Sequence, residues 1–291
     1  MSNGLQHIAV FGPGLMGASL LMALRAKEPG TKLSVWARRD EAVREVITRG
    51  LADSASTDAA DVVTSADAVV LCVPVDRMEE TASLAARHIG PDTLVTDVGS
   101  TKEKLVSDLE KIFHANRNFV GSHPMCGSEE SGLGAGRADL YEDALCVVCP
   151  TAYSRADLVK KAEELWKSVG GRVKRLAPPD HDEAVASASH VPHVAAAALV
   201  ELVSQEQPGH QQLCATGFRD TTRVAAGSPE LWSAILSENA DKTAAALARL
   251  EAILAGYREA ITLYDRKQVA QRLAHAAAAR AKIFPDNPTC K

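Results

Sequence analysis

Up to Leu176 the chain alternates short apolar, β-branched runs with longer stretches of helical periodicity. His7–Phe11, Lys32–Trp36, 68–73, 93–96, 118–121 and Leu145–Cys149 are predicted strands. Leu15–Lys27, 41–49, 77–88, 102–112 and 155–169 are the predicted helices between them. Runs such as Ala68-Val-Val-Leu-Cys-Val73 are apolar at every position rather than every second one. That pattern belongs to strands covered on both faces, in a mainly parallel sheet flanked by helices.

The pattern changes at Pro178-Pro179. Beyond it no strand is predicted, and 184–203, 231–264 and 267–282 show helical periodicity rich in alanine. Prolines close one element and open the next. The expected fold is therefore α/β, with a Rossmann-type doubly wound domain over 1–177 and an all-helical domain over 178–291. Asp180 is the expected N-cap of the first helix of that second domain. His181 beside it reads as an exposed first-turn residue, and the tail 285–288 as loose chain. Leu247, Leu250, Ile253, Leu254, Tyr257 and Ile261 form an apolar stripe that one short helical domain has too few partners to cover. An apolar patch of that size predicts a homodimer built through the helical domain.

Composition narrows the function classes. The chain has 291 residues, 46% hydrophobic and 24% charged, enough for a sizeable core without disulfide or metal staples. Its 32 basic and 37 acidic residues give a net charge of −5, which disfavours nucleic acid or an anionic membrane as partner. No run approaches the ~18 consecutive apolar residues of a membrane span. The start, MSNGLQHIAVFG, lacks a basic segment followed by an apolar one, so the expected location is cytoplasmic. Cys146 and Cys149 form a CxxC pair, but residues three apart in a strand face opposite sides. They read as buried small hydrophobes rather than a redox or zinc half-site.

Gly12-Pro-Gly14-Leu15-Met16-Gly17 is a complete GxGxxG, placed directly after a predicted strand and opening a predicted helix. In that setting the motif marks a dinucleotide site. The first glycine permits the tight turn, the second lets backbone approach the pyrophosphate, and the third lets helix and strand pack closely. The helix N-terminus presents free N–H groups to the phosphates. The end of the second strand carries Arg38 and Arg39 where a ribose-binding acid would stand for NAD. Two arginines suit a 2′-phosphate, which favours NADP. The competing reading has both arginines solvated at the adenine face and NAD bound, with Asp40 reaching back to the ribose.

Further polar stretches sit where a packed core would not want them: Asp97-Val-Gly-Ser-Thr-Lys102, Gly121-Ser-His-Pro-Met-Cys-Gly-Ser-Glu-Glu-Ser-Gly132, Ser189-His-Val-Pro-His193 and Gly217-Phe-Arg-Asp-Thr-Thr-Arg223. The first follows a predicted strand, at the carboxyl edge where open α/β sheets bind ligands. The second reads as a loop that holds His123. His190 and His193 have HxxH spacing, but no third ligand accompanies them, so no metal is expected.

Taken in order, GPGLMG, DVGSTK, GSHPMCGSEESG, HDEAVASASHVPH and GFRDTTRVAAGSPELW resemble the prephenate/arogenate dehydrogenase family over nearly the whole chain. The resemblance implies oxidative decarboxylation of prephenate or arogenate, to 4-hydroxyphenylpyruvate or tyrosine, by a Rossmann domain joined to a helical dimerisation domain. It implies that His123 accepts the proton of the substrate's ring C4 hydroxyl. It implies that Ser100 orients this histidine and the substrate hydroxyl, that Arg223 binds a substrate carboxylate, and that His190 lines the same cleft. The chain departs from the family at Thr221, where an aromatic is usual, and at Cys126, where alanine or phenylalanine is frequent; both imply an altered pocket. A histidine near its ordinary pKa of about 6.5 suits the base role at neutral pH. A dehydrogenase of the 3-hydroxyisobutyrate type shares the two-part plan, but such enzymes rely on a lysine in the helical domain, and Lys242 lacks that setting. A non-enzymatic dinucleotide sensor would have no use for Ser100, His123 and Arg223.

Overall fold

The computed structural model describes residues 4–128, 130–207 and 209–285. From 286 onward the tail expected to be loose lies outside the described residues. The chain divides into two compact units, Met1–Ala240 and Asp241–Lys291.

The first unit opens with five strands, β1 (His7–Phe11), β2 (Lys32–Trp36), β3 (Ser54–Ser56), β4 (Ala68–Leu71) and β5 (Leu94–Asp97). All pair in parallel, in the order β3-β2-β1-β4-β5. The connecting helices are α1 (Leu15–Lys27), α2 (Asp40–Thr48), α3 (Ala59–Val63), α4 (Met78–Ala86) and α5 (Glu103–Ile112). This is the strand order of a Rossmann sheet. Every residue of β1 and β4 is buried, as their unbroken apolar runs require. Alternate residues serve opposite faces. Ile8, Val10 and Val70 meet Leu20, Leu21 and Leu24 on one side; Ala9, Phe11, Val69 and Leu71 meet Met78, Ala82 and Leu109 on the other. β3 and α3 escape the sequence pattern because Ser-Ala-Ser carries no apolar run and α3 is barely a turn long.

A second sheet holds β6 (Gly121–Pro124), β7 (Leu145–Cys149) and β8 (Arg172–Arg175), with α6 (Ala156–Ser168) between β7 and β8. β6 runs antiparallel to β7, and β7 parallel to β8. The strand predicted at 118–121 survives only as a bridge from Phe119 to Val95; the chain then passes into β6. His123 is thus a strand residue paired with Val147, not a loop residue as the sequence suggested. Ladder bonds hold its backbone, and the loop begins after Pro124. β8 is nearly all basic and mostly exposed, which hides it from an apolar-run reading. Cys146 and Cys149 are both buried, and burial pushes each thiol up to about 12.

From Pro178 the same unit continues through α7 (Pro178–Val185), a π turn (Ala186–His190) and α8 (Val191–Ser204). α9 (Thr216–Thr222) and α10 (Pro229–Glu238) follow. The two prolines occupy the first turn of α7, where a missing N–H costs nothing, and Ala177 is the N-cap. Asp180 is therefore a first-turn residue rather than the expected cap. The path Pro178–Ser204 is long and apolar enough to cross a membrane by length and composition alone. Its buried face carries His181, Asp182, His190 and His193.

The second unit is built from α11 (Ala240–Thr262) and α12 (Arg266–Ile283). The single helix predicted over 231–264 is broken at Asn239, the C-cap of α10. Tyr264 takes φ 56°, and the Asp265 side chain caps α12 by accepting from the Gln268 N–H at 2.9 Å. Arg272 lies over the Tyr257 ring at 5.4 Å. Ile253, Leu254 and Ile261 of the predicted stripe are 52%, 56% and 61% exposed, while Leu247, Leu250 and Tyr257 are half-buried.

Candidate active site

The glycine turn joins β1 to α1. Gly12 has φ +97°, and a Cβ there would meet the Cys72 carbonyl oxygen at 2.7 Å. A Cβ on Gly17 would meet the Gly12 carbonyl oxygen at 2.1 Å, so helix and strand are in contact. Around Gly14 a Cβ would meet nothing within 4 Å. That open space lies over the start of α1, whose N-cap, Gly14, brings no side chain to its N–H groups. The arrangement fits a dinucleotide pyrophosphate, with two glycines to close the turn and one to leave room. Leu15 and Met16, in the first turn of α1, are half-buried against the core, and the Met16 carbonyl accepts from the Tyr141 hydroxyl at 2.8 Å.

A groove of about 940 Å³ runs along this edge, lined in part by Gly12, Gly14, Trp36, Arg38, Arg39 and Leu231. Arg38 and Arg39 are exposed at the end of β2 on its wall. Asp40 starts α2 and is absent from the lining. Trp36 stacks on Phe11 at 5.3 Å and donates from its indole N–H to the Thr57 carbonyl, so this wall is anchored on the sheet.

The DVGSTK turn follows β5. The Lys102 ammonium lies 2.6 Å from the Asp97 carboxylate, and both side chains are fully buried. Asp97 also accepts from the N–H groups of Gly99 at 2.7 Å and Ser122 at 2.9 Å. Lys102 donates further to the Thr101 carbonyl. A buried pair persists only when such extra bonds satisfy it. Ser122 is tied in turn to the Asp97 carbonyl and the Trp166 indole, and its neighbour is His123.

His123 is 9% exposed. Its Nδ1 lies 2.9 Å from Nε2 of His181, and Nδ1 of His181 lies 2.7 Å from Oδ1 of Asp182. Asp182 further accepts from the backbone N–H groups of Lys102 at 2.7 Å and Glu103 at 2.8 Å, capping α5. His181 is therefore fully buried, not the exposed first-turn residue its position suggested. Burial, then the charges of His181, Lys102 and His190, hold the His123 imidazole well below its ordinary range. The expectation of a near-normal pKa is corrected accordingly: the ring stays neutral over a wider pH range than an exposed histidine.

Ser100 is half-buried in the turn before α5 and, among the described residues, makes no hydrogen bond with His123. The hydrogen-bond partner that the imidazole does have is His181. His190 ends the π turn, 1% exposed, with Nδ1 3.3 Å from the Asn239 side chain and its ring edge-on to Trp232. Burial drives it down to about 4. π turns of this kind recur at functional sites. His193 stacks on Trp232 at 3.6 Å. Arg223 is exposed, in the 3₁₀ turn Arg223–Ala226 that packs on α8. Thr221 is also exposed, bonded to the Gly217 carbonyl, while Cys126 is half-buried against the core. Sequence reasoning missed His181 and Asp182. Both open the HDEAVASASHVPH motif, but a His-Asp pair in a helix's first turn is equally at home on a solvated face.

Residues 20–175 match the family model described as prephenate dehydrogenase, nucleotide-binding domain, and 177–275 the model described as prephenate dehydrogenase, dimerization domain. A cyclohexadienyl dehydrogenase of Zymomonas mobilis is 32% identical over 97% of this chain and 97% of its own length. The solved prephenate dehydrogenase from A. aeolicus, in complex with hydroxyphenyl propionate and NAD+, is similar at 31% identity and TM-score 0.90, over 97% of this chain and 100% of that one. The Synechocystis arogenate dehydrogenase is similar at 28% identity and TM-score 0.82, over 95% and 99%. With both family models matched along one chain that carries the glycine turn and the buried histidine, the protein belongs to the prephenate dehydrogenase family.

Proposed function

We propose that this protein is a nicotinamide-dependent dehydrogenase that oxidatively decarboxylates prephenate or arogenate, in tyrosine biosynthesis in the cytoplasm. The observation that carries the reading is His123: a neutral imidazole on a ladder-held strand, with Nδ1 engaged and Nε2 left for substrate. The relatives named above support the substrate class.

The bound nicotinamide would supply an acceptor for the hydride leaving ring C4. His123 Nε2 takes the C4 hydroxyl proton as that hydride departs, so the C–O bond becomes a carbonyl. The ring carboxylate then leaves as carbon dioxide. The electron pair of the broken carbon–carbon bond aromatises the ring, and the phenolate oxygen takes the proton back. The protein holds the ring, excludes water and moves one proton. In this reading Ser100, in the turn before α5, meets the same hydroxyl. Arg223 anchors a carboxylate through its two-point fork, and His190 walls the cleft. The substrate and dimerisation portion begins at residue 178, and two chains associate through it.

The finer cofactor reading is NADP. Arg38 and Arg39 on the groove wall, with no acid at the end of β2, support it. NAD remains the competing substrate, and the A. aeolicus relative was solved with NAD+. Turnover of prephenate and arogenate with each nicotinamide tests the whole reading. Expected is activity on at least one cyclohexadienol with release of carbon dioxide; no turnover with any of the four pairs overturns it.

A further inference from the structure

We infer that His181 and Asp182 are positioning residues that hold His123 in the tautomer whose free lone pair is on Nε2. The inference rests on the reading of His123 as the base. Its observations are the 2.7 Å contact of Asp182 Oδ1 with His181 Nδ1 and the 2.9 Å contact of His181 Nε2 with His123 Nδ1.

The tautomers follow link by link. Asp182 already accepts from two backbone N–H groups at the start of α5, so it meets His181 as an acceptor. The proton between them therefore sits on His181 Nδ1. A neutral His181 then has its lone pair on Nε2 and accepts, so the next proton sits on His123 Nδ1. That leaves His123 Nε2 unprotonated; among the described residues it takes no partner. In water a neutral histidine prefers the opposite tautomer, with its proton on Nε2, which cannot act as a base through that atom. The chain of two contacts reverses this preference, and second-group control of a ring's tautomer is a general device. When His123 takes the substrate proton, the imidazolium still donates to His181, with the Asp182 carboxylate behind it. The titratable groups acting on His123 are His181 from α7, Lys102 from the DVGSTK turn and His190 from the π turn, with Asp182 behind His181 and Asp97 behind Lys102.

The arrangement also joins the base to the turn that carries Ser100. Asp182 holds the N–H groups of Lys102 and Glu103, two and three residues beyond Ser100. One carboxylate thereby fixes both the histidine chain and the end of that turn.

The test uses the full chain labelled with ¹⁵N-histidine. In the wild type, His123 is expected to show a protonated Nδ1 and a pyridine-type Nε2, and His181 the same pattern. A protonated Nε2 on wild-type His123 overturns the inference without any variant. His181→Leu removes the acceptor and is expected to lower kcat ~10–100-fold, part of the span of a general base, with KM changed less than threefold. His181→Gln keeps an acceptor oxygen and is expected to recover most of kcat. In a His123→Asn background, His181→Leu is expected to cost nothing more, because it acts through that ring; an additive loss marks a merely structural role and overturns it. If His123→Asn itself leaves kcat intact, the base assignment fails. If His123→Asn is inactive while His181→Leu keeps wild-type kcat and pH profile, the base stands and this inference alone fails.

Discussion

The Lys102 ammonium and the Asp97 carboxylate meet at 2.6 Å with no solvent exposure on either side chain, and Asp97 also holds the backbone N–H of Ser122, the residue before His123. An ion pair in this position fixes the strand that carries the imidazole. It also sets a positive charge near that ring, one of the causes that keep it neutral.

Lys102→Met should therefore act twice. It leaves Asp97 buried and unpaired, which costs about 3–5 kcal/mol. It also removes a charge that lowers the His123 pKa, so the acidic limb of kcat/KM should move up in pH. Urea unfolding and a pH–rate profile check both. An unchanged unfolding midpoint would show that the pair is dispensable.

His123→Asn should lower kcat by ~10²–10⁴ while substrate still binds. In the wild type only the neutral ring accepts a proton. With its pKa held well below 6.5, kcat/KM should be flat from neutral pH upward and fall only on clear acidification. A limb centred at or above 6.5 would contradict the burial seen here.

Stability should respond to acid in the same direction. His7, His123, His190 and His193 all have lowered values in the fold, His190 at about 4. Below 6.5 the unfolded chain binds protons that the folded one refuses, so stability present at neutral pH is lost as pH falls from 6.5 toward the folded values. The slope is at most about 1.4 kcal/mol per pH unit for each histidine. Melting temperatures between pH 7.5 and 4.5 measure it, and a flat series would be evidence against four buried neutral rings.

Two glycines of one turn should separate folding from binding. Gly14→Ala adds a methyl into open space and should leave the melting temperature nearly unchanged while weakening cofactor binding at least tenfold. Gly17→Ala drives a methyl onto the Gly12 carbonyl and should destabilise the protein itself. Dinucleotide titration and thermal melts of the two variants distinguish the effects; equal melting losses would show that the space above Gly14 is not the phosphate site.

Replacing Arg38 and Arg39 with alanine should weaken NADP and leave NAD nearly untouched, because only NADP carries the extra phosphate. The NADP preference should also shrink as salt rises, since exposed arginine–phosphate pairs are screened. Comparable losses for both cofactors would make these arginines ordinary surface residues.

Local pattern was enough for part of the α/β half, though not for β3, α3, β6 or β8. β1, α1, β2 and β7 fall where periodicity puts them, because an apolar run covered on both faces and a glycine turn before a helix are written in consecutive residues. The glycine motif declared its partner chemistry for the same reason: turn, phosphate space and helix N-terminus all lie within one short segment. Tertiary structure decided the rest. His123 and His181 are separated by 58 positions, and Lys102 and Asp182 by 80, so no spacing rule links them. His181 looked like a surface residue because its helix's first turn is polar. It is buried because Asp182 docks that turn onto the open N–H groups of α5. The low pKa of His123 has the same origin: desolvation is set by what the chain packs over a ring, and only the folded chain brings α7, the DVGSTK turn and the π turn to one imidazole.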